Sequence, residues 1–588
     1  MRFWWIVTLA SLCAAHMHMD DDEDMSNEMG MGVSDTNLTP VPHEPKHLHG
    51  QPILDTHLTP AERLYWQKYD TTTFFTTDLG NRSAFKFHVA TMFILLFLSY
   101  PVCLILNSVA SSWYLAALTA NLALTVASLI SLLVFSTTFP EEWYANNFYH
   151  KTSWTVLILM LVHYIAAVGT LAAKRFGSGY VSLDIETVAY PLQDYDNYEI
   201  PDVVVNDGNT EDPSRLSPPT TVTPNDDTQE SSLSHSHSEE SLRFTDDSHK
   251  KPRKDKLLNK IPVNSKLQTI MDKFCVFFGI IFGFLNYPML LILFVDACTG
   301  IAIGNLLGKG QRVFNLLAHW IKGGVFFVLG IVSLARYCGV GQKYGWAWNR
   351  LIIDRRSPYA NSVWFKYSPI GGITMEGFES FLIFFYGSTN VFLEHLAGAG
   401  GAWTAKDLQH VSIAFMFFGT GLCGLLVEGF LNKWRFTHAL VRTDYKEEEV
   451  LVANPGYSPN PFPTFTIFWT GILMSQHAQA SETSTTIHVQ WGSLLSYGSF
   501  FRMFTFLILY FSPEVNMEPF KPITELVSSF CLLAGGLIFM ESTDQVVEGF
   551  EYRGFTPMFT FNISVGIVSL IMAWEMILLF WRRYLASN

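Results

Sequence analysis

The sequence predicts an all-α fold, a polytopic transmembrane bundle of about 11 spans in two groups, three and then eight, joined by a disordered cytoplasmic linker. Three observations carry that reading. Of the 588 residues, 49% are hydrophobic and only 15% charged, whereas a soluble chain carries roughly 25% charged residues. Apolar runs of span length recur along the chain. Aromatic residues reach 15%, an excess that suits bilayer interfaces and lipid-facing surfaces. The formal charge of −14 gathers in the N-terminal stretch and the central linker. No basic patch marks a nucleic-acid footprint, so nucleic acid is excluded as a partner. The seven cysteines form no CxxC pair, which argues against a disulfide framework.

The chain opens with Arg2, the apolar run Phe3 to Cys13, and Ala14-Ala15. A basic residue, a short apolar run and small residues predict a signal peptide over residues 1–15, cut after Ala15. Residues 16–84 form a lumenal arm rich in His, Met and acidic residues. It holds two glycosylation acceptor patterns, at Asn37 (NLT) and Asn81 (NRS).

The first transmembrane domain, residues 85–173, contains runs Phe85 to Val109, Trp113 to Phe135 and Ser153 to Ala173. Residues 174–273 change character, with SPPTTVTP, NDDTQESSLSHSHSEES and KKPRKDK. Such a stretch has too little apolar surface to offset its ordering entropy and is expected to be disordered. The second domain, residues 274–588, has candidate spans Phe274 to Ala297, Val313 to Tyr337, Thr374 to Leu396 and Leu408 to Phe430. Thr464 to Gln479, His488 to Phe511, Ile523 to Glu541 and Met558 to Phe580 follow. Lys174 and Arg175, the 350–366 loop, Lys433, Arg435 and Arg442, and Arg582-Arg583 all fall on one side when spans alternate. The positive-inside rule makes that side cytoplasmic, so the N-terminus is lumenal or extracellular. The expected location is the secretory pathway: ER, Golgi, vacuole or plasma membrane.

Alternation also sorts the ionisable residues. Glu394, His395, His410, His477 and His488 stand at lumenal span ends, and His319 lies two turns into its span from that side. Such a set offers ligands to copper, zinc or iron. Histidines at span ends also serve as interface anchors. If cleavage follows Ala15, His16 becomes the N-terminal residue and His18 the third, an arrangement that can wrap copper(II) in a square plane. Toward the cytoplasmic side, Glu376 and Glu379 share a helix face at i, i+3. Arg502 interrupts an apolar span and needs a partner from among Glu376, Glu379, Glu428, Glu525 and Glu575. Lys322 lies on the polar side of His319. This second set reads either as a charge relay or as a structural ion-pair network. His88 and His163 would suit axial haem ligation, though at different depths.

The segments AHWIKGGVFFVLG, GWAWN, FLEHLAG, DLQHVSIAFMFFGTGLCGLLVEG, MSQHAQ, HVQWGSL and AGGLIFMES resemble the fungal Ytp-like (yeast putative transmembrane protein) family. The first bundle resembles the uncharacterised N-terminal domain that accompanies it. The resemblance implies an integral membrane protein of fungi and supplies no catalytic residues.

Three functions compete. In the first, a transition metal bound at the lumenal His/Glu site is transported or used in membrane redox chemistry. In the second, haem carries electrons. In the third, the protein is a non-catalytic trafficking or scaffold component whose phosphorylatable linker recruits cytosolic partners. No P-loop, nucleophile elbow or HExxH motif is present, so an enzyme class is not assigned.

Overall fold

The computed structural model describes residues 39–42, 51–144, 147–176, 265–393, 403, 405–476, 479–511 and 518–587. The expected signal peptide, part of the arm and nearly all of the linker lie outside them, as do His16, His18, Asn37, Glu394, His395 and His477.

A short helix α1 (Pro60–Gln67) precedes the bundle. It starts at a capping box: the Thr59 hydroxyl accepts from the Glu62 amide, and the Glu62 carboxylate accepts from the Thr59 amide at 2.9 Å. The first group is α2 (Arg82–Ser108), α3 (Tyr114–Thr138) and α4 (Tyr149–Phe176). Asn81 caps α2 by accepting from the Ala84 amide at 3.0 Å. A π-helical stretch at Ile94–Ser99 precedes Pro101 in α2, where proline withholds a backbone donor and the ladder must readjust.

The second group begins with α5 (Ser265–Asn286) and α6 (Pro288–Gly304), a pair bent by 42° at Tyr287-Pro288. It continues with α7 (Arg312–Tyr337), α8 (Met375–Leu393), α9 (Ala405–Leu440), α10 (Phe462–Ser475) and α11 (Glu482–Phe511). α12 (Ile523–Glu541), the short α13 (Asp544–Arg553) and α14 (Pro557–Ser587) complete it. Strands β1 (Leu351–Asp354) and β2 (Val450–Asn454) pair antiparallel, with Leu351 opposite Asn454. They are the departure from an all-helical chain. The ribbon marks one face of the bundle, and α13 marks the opposite one.

Among the described residues, eight single helices are long and apolar enough to cross a membrane, and the bent α5–α6 pair counts as one more. α8 fails that test with Glu376 and Glu379 in its first turns, and α10 has only 14 residues. With those two included, the path makes about eleven alternating crossings. Two boundaries differ from the sequence reading. α5 starts at Ser265, inside the stretch read as linker. α9 runs on to Leu440, well past Phe430, because Phe436, Ala439 and Leu440 pack with Val450 and Ala453 of β2. Burial against the ribbon extends the helix beyond its lipid-facing part.

The bundle is inverted relative to a soluble protein. Phe430, Phe284 and Phe580 point outward, while Asn121, His163, Glu525 and Ser529 are fully buried. Lipid accepts apolar surface without cost, so close helix packing and polar contacts must hold the interior. Glycines allow the closest approach. A Cβ on Gly323 of α7 would stand 2.7 Å from the Gly536 carbonyl of α12. The core of the first group is not closed by its own three helices. Tyr100, Met160 and Leu118 pack with Phe282 of α5 and Met289 and Leu293 of α6, and the Tyr100 hydroxyl donates to the Asn286 carbonyl at 2.5 Å.

Candidate functional site

Two polar regions stand out, one toward each face. Near the ribbon face, α7, α8, α11 and α12 bring five charged side chains into one buried set. Arg502 of α11 donates to Glu379 of α8 at 2.8 Å and lies 3.8 Å from Glu376 and 3.9 Å from Glu525. Arg336 of α7 donates to Glu376 at 3.3 Å and to the Trp346 carbonyl at 2.8 Å. Ser333 of α7 donates to Glu525 of α12 at 3.1 Å. The Arg336 guanidinium lies 4.0 Å over the Trp348 ring, a contact that suits a cation without a hydration shell. Trp348 is fully buried and has φ +59°. Such left-handed backbone is costly for a bulky residue and persists where the surroundings over-determine it.

Glu428 belongs to a neighbouring set. It accepts from Arg435 at 2.8 Å, from Thr374 at 2.7 Å and from Asn460 at 3.0 Å. Sequence reasoning counted Arg435 among the solvent-facing loop cations. The structure corrects this: Arg435 is buried in the last turns of α9, because the helix continues there. Arg336 and Trp348 were also missed. Arg336 sits beside a span end, where a basic residue reads as an interface anchor; only the fold of the 338–374 loop turns it inward.

Toward the α13 face, His319 of α7 and His488 of α11 stand 5.8 Å apart between ring centres, nearly perpendicular. Each Nδ1 contacts a carbonyl four residues earlier in its own helix: Asn315 O at 2.8 Å and Ser484 O at 2.7 Å. A carbonyl only accepts, so Nδ1 carries the hydrogen in both rings, and in the neutral imidazole Nε2 holds the lone pair. The pair rests on aromatic rings. His319 meets Phe539 edge-on, and Phe539 stacks on Trp491 at 3.9 Å.

His410 lies in the second turn of α9 and Lys322 one turn beyond His319; both are half-buried. Among the described residues, no three His, Cys, Asp or Glu side chains converge as a metal ion would require. Asp296, in α6, and Glu541, at the end of α12, turn elsewhere: Asp296 meets Ser153 of α4 at 3.4 Å, and Glu541 accepts from Ser564 of α14 at 2.6 Å. His88 engages Ser128 through Nδ1 and the Tyr149 hydroxyl through Nε2 at 2.7 Å.

A cavity of 1330 Å³ opens beside this face between the first group and α6, α7, α12 and α13. Its wall includes His88, Tyr149, Trp320 and Glu541, and its rim Arg312 and Glu548, which pair at 2.9 Å. Burial pushes the Glu548 carboxyl up, against the pull of Arg312. Burial, and secondarily Glu548, raise the Tyr69 phenol to about 12. Asn81 is exposed at the same face, its backbone amide donating to Thr138 at 2.9 Å.

Residues 292–583 match the family model described as protein YTP1-like, C-terminal, and residues 68–173 match a domain of unknown function, DUF2427. An uncharacterised membrane protein of Saccharomyces cerevisiae, YCR061W, is 52% identical over 94% of this chain and 91% of its own length. The chain belongs to the fungal Ytp1-like family. Another relative, the uncharacterised membrane protein C3B8.06 of Schizosaccharomyces pombe, is 40% identical over 55% of this chain and 62% of its own length. The protein YTP1 of S. cerevisiae is 25% identical over 28% of this chain and 30% of its own length. No solved structure matches.

The Ytp1-like region contains every member of the five-group charged set and both histidines of the pair. All of α5 falls between the two family segments, yet its Phe282 belongs to the first group's core. The protein is a multi-pass membrane protein.

Proposed function

We propose that this Ytp1-like protein binds a transition-metal ion, copper, zinc or iron, at the face bearing α13, with His319 and His488 as ligands. The ion is then transported or used in membrane redox chemistry. The observation that carries the reading is the matching Nδ1–carbonyl contact of the pair. In each ring a backbone carbonyl holds the Nδ1 hydrogen, so Nε2 has the lone pair a metal needs; this orienting hydrogen bond is the usual partner of a ligating imidazole. Two imidazoles on facing helices are the start of a site, and Glu394, His395 and His477 are the candidates to complete it. Glu394 follows the last described residue of α8, and His477 follows Gln476 just beyond α10. His410 enters α9 from the same side, and His16 and His18 of the arm would capture the ion.

We take this face as lumenal or extracellular. Arg355, Arg356, Lys366 and Arg442 lie in the loops of the ribbon face, which the positive-inside rule assigns to the cytoplasm. Glycosylation of Asn37 and Asn81, cleavage after Ala15 and secretory-pathway residence belong to the same reading. Haem is the weaker cofactor, since both ring nitrogens of His88 already contact protein groups.

Elemental analysis of the gently purified full-length protein tests the proposal. Wild type should hold near-stoichiometric metal, and His319→Ala and His488→Ala should each lose most of it. A metal-free wild type, or a double variant with unchanged content, would sink the reading and turn attention to the scaffold alternative.

A further inference from the structure

We propose that the 1330 Å³ cavity beside the α13 face is a lipid-binding slot that holds one two-chain phospholipid with a zwitterionic headgroup. The histidine pair plays no part in it.

The slot is deep and changes character along its length. On α7 its wall runs from Arg312 to Phe327, a stretch of about 22 Å at about 1.5 Å per residue. That exceeds half of the roughly 30 Å hydrocarbon core. The inner part is lined by Leu96, Phe97, Phe294, Phe327, Ile567 and Ile571, whose side chains offer no hydrogen-bonding group. Apolar walls do not hold ordered water, and the solvent beside these helices is hydrocarbon. The volume is also larger than the roughly 300–1,000 Å³ of a drug-sized pocket, so it fits acyl chains better than a small ligand.

The wall gives lipid a way in. α14 packs against α2 along Tyr100–Ser108, and beside that contact Trp574 donates to the Phe97 carbonyl at 2.7 Å. Nearer the α13 face, Phe93 of α2 and Ile567 of α14 both line the slot and are 50% and 44% exposed. Acyl chains can pass between these two helices without the bundle coming apart.

The mouth is polar, and four segments are tied together there. Tyr144, in the α3–α4 loop, donates its hydroxyl to the Leu307 and Gly308 carbonyls of the α6–α7 loop, each at 2.9 Å. The Gly308 amide donates to Gln545 of α13 at 2.6 Å. The Phe74 amide, in the segment after α1, donates to the Gly304 carbonyl at 3.0 Å. These bonds fix the width of the mouth and hold its charges in place.

Four cations line it, Lys68, Lys309, Arg312 and Arg553, and four acids, Asp70, Glu141, Glu142 and Glu548. Arg312 and Glu548 pair with each other. A fifth acid, Glu541, is bonded to Ser564 of α14. Arg82 stands behind the wall, donating to the carbonyls of Phe74 and Phe75. Such mixed charge matches a headgroup that carries both signs, with its phosphate toward Lys309 and its ammonium toward Glu141 and Glu142. Lys309 is exposed, and its ammonium stands 5.9 Å from the centre of the Tyr144 ring. An anionic headgroup would meet as many acids as cations, and a sterol would leave the charges of the mouth unmatched.

Native mass spectrometry of the full-length protein, stripped of co-purified lipid and then titrated, tests this. The probes are a phosphatidylcholine, a phosphatidylglycerol and a sterol in the same detergent. Wild type should hold one phosphatidylcholine, more tightly than either competitor. Ile567→Trp fills the slot from α14 and should weaken that binding about tenfold. Phe430→Trp, on the outer surface of α9 at a residue 84% exposed, should leave it unchanged. Lys309→Glu lies outside the spans and should weaken phosphatidylcholine binding at an unchanged melting temperature, which carries the test should Ile567→Trp fail to fold. Equal binding by wild type, Ile567→Trp and Phe430→Trp would mean surface lipid only and overturn the slot. Tighter binding of phosphatidylglycerol or the sterol, or no response to Lys309→Glu, would overturn the headgroup assignment.

Discussion

The two groups of helices bury different kinds of polarity. The first group holds neutral side chains, among them Asn121, Thr125, Ser128 and His88. Two of these bond close to home: Asn121 donates to the Ala117 carbonyl at 2.9 Å, and Thr125 to the Asn121 carbonyl at 2.8 Å, one turn back in the same helix. The second group buries full charges, and these bond across helices, Arg502 to α8 and Arg336 to α8. An amide can be satisfied by its own helix. A guanidinium needs an anion: Arg502 and Arg336 take theirs from α8, while Arg435 finds Glu428 two turns back in α9 itself. The first group is thus held by packing, while the second also has its helix positions specified by charge pairs.

The largest expected effect comes from removing a charge at the hub. Arg502→Leu would strand Glu379 and should cost about 3–5 kcal/mol, the usual penalty for breaking a buried pair. Thermal unfolding in detergent, supported by size-exclusion profiles, would measure it. Asn121→Ala in the first group should cost far less, about 0.6–1.7 kcal/mol, the range of polar contacts between membrane helices. Equal losses for the two variants would break the contrast between the groups.

The smallest effect lies outside the membrane-spanning segments, where α1 meets α13. Tyr69 stacks near Tyr552 at 5.0 Å, and its phenol is raised from 10.0 to about 12. The folded state therefore keeps a proton that the unfolded state releases between those values. Stability from this group is complete below pH 10 and falls as pH rises toward 12. Tyr69→Phe should flatten that part of the melting profile. An unchanged alkaline slope would show that the segment following α1 does not dock on α13 through this ring.

Part of the polar interior was legible from sequence because a charge in an apolar run has few explanations. Arg502, Glu376, Glu379 and Glu525 were singled out on that ground, and the structure gathers them in one set. Glu428 stands apart with Arg435, which a count of loop cations had put in solvent. Position relative to a span end cannot say whether a long side chain turns toward water or back into the protein. Trp348 carried still less signal, since its place over Arg336 depends on a left-handed turn in a loop.

The histidines divide in the same way. His319 and His488 were grouped by depth, and their helices do place them face to face. Asp296 and Glu541 share that depth but face α4 and α14, because depth fixes only one of the coordinates that decide a contact.

What the sequence determined by itself was the solvent and the path. Apolar run length, charge placement and aromatic content dictate a multi-pass helical membrane protein, since only helices or closed barrels satisfy every backbone group in lipid. What the tertiary structure decided was which helices meet. The bend at Pro288, the approach of Gly323 to Gly536 and the extension of α9 along the ribbon rotate and tilt each helix. Those rotations choose which of several equally deep polar groups become partners, and hydropathy along a single segment contains no term for them.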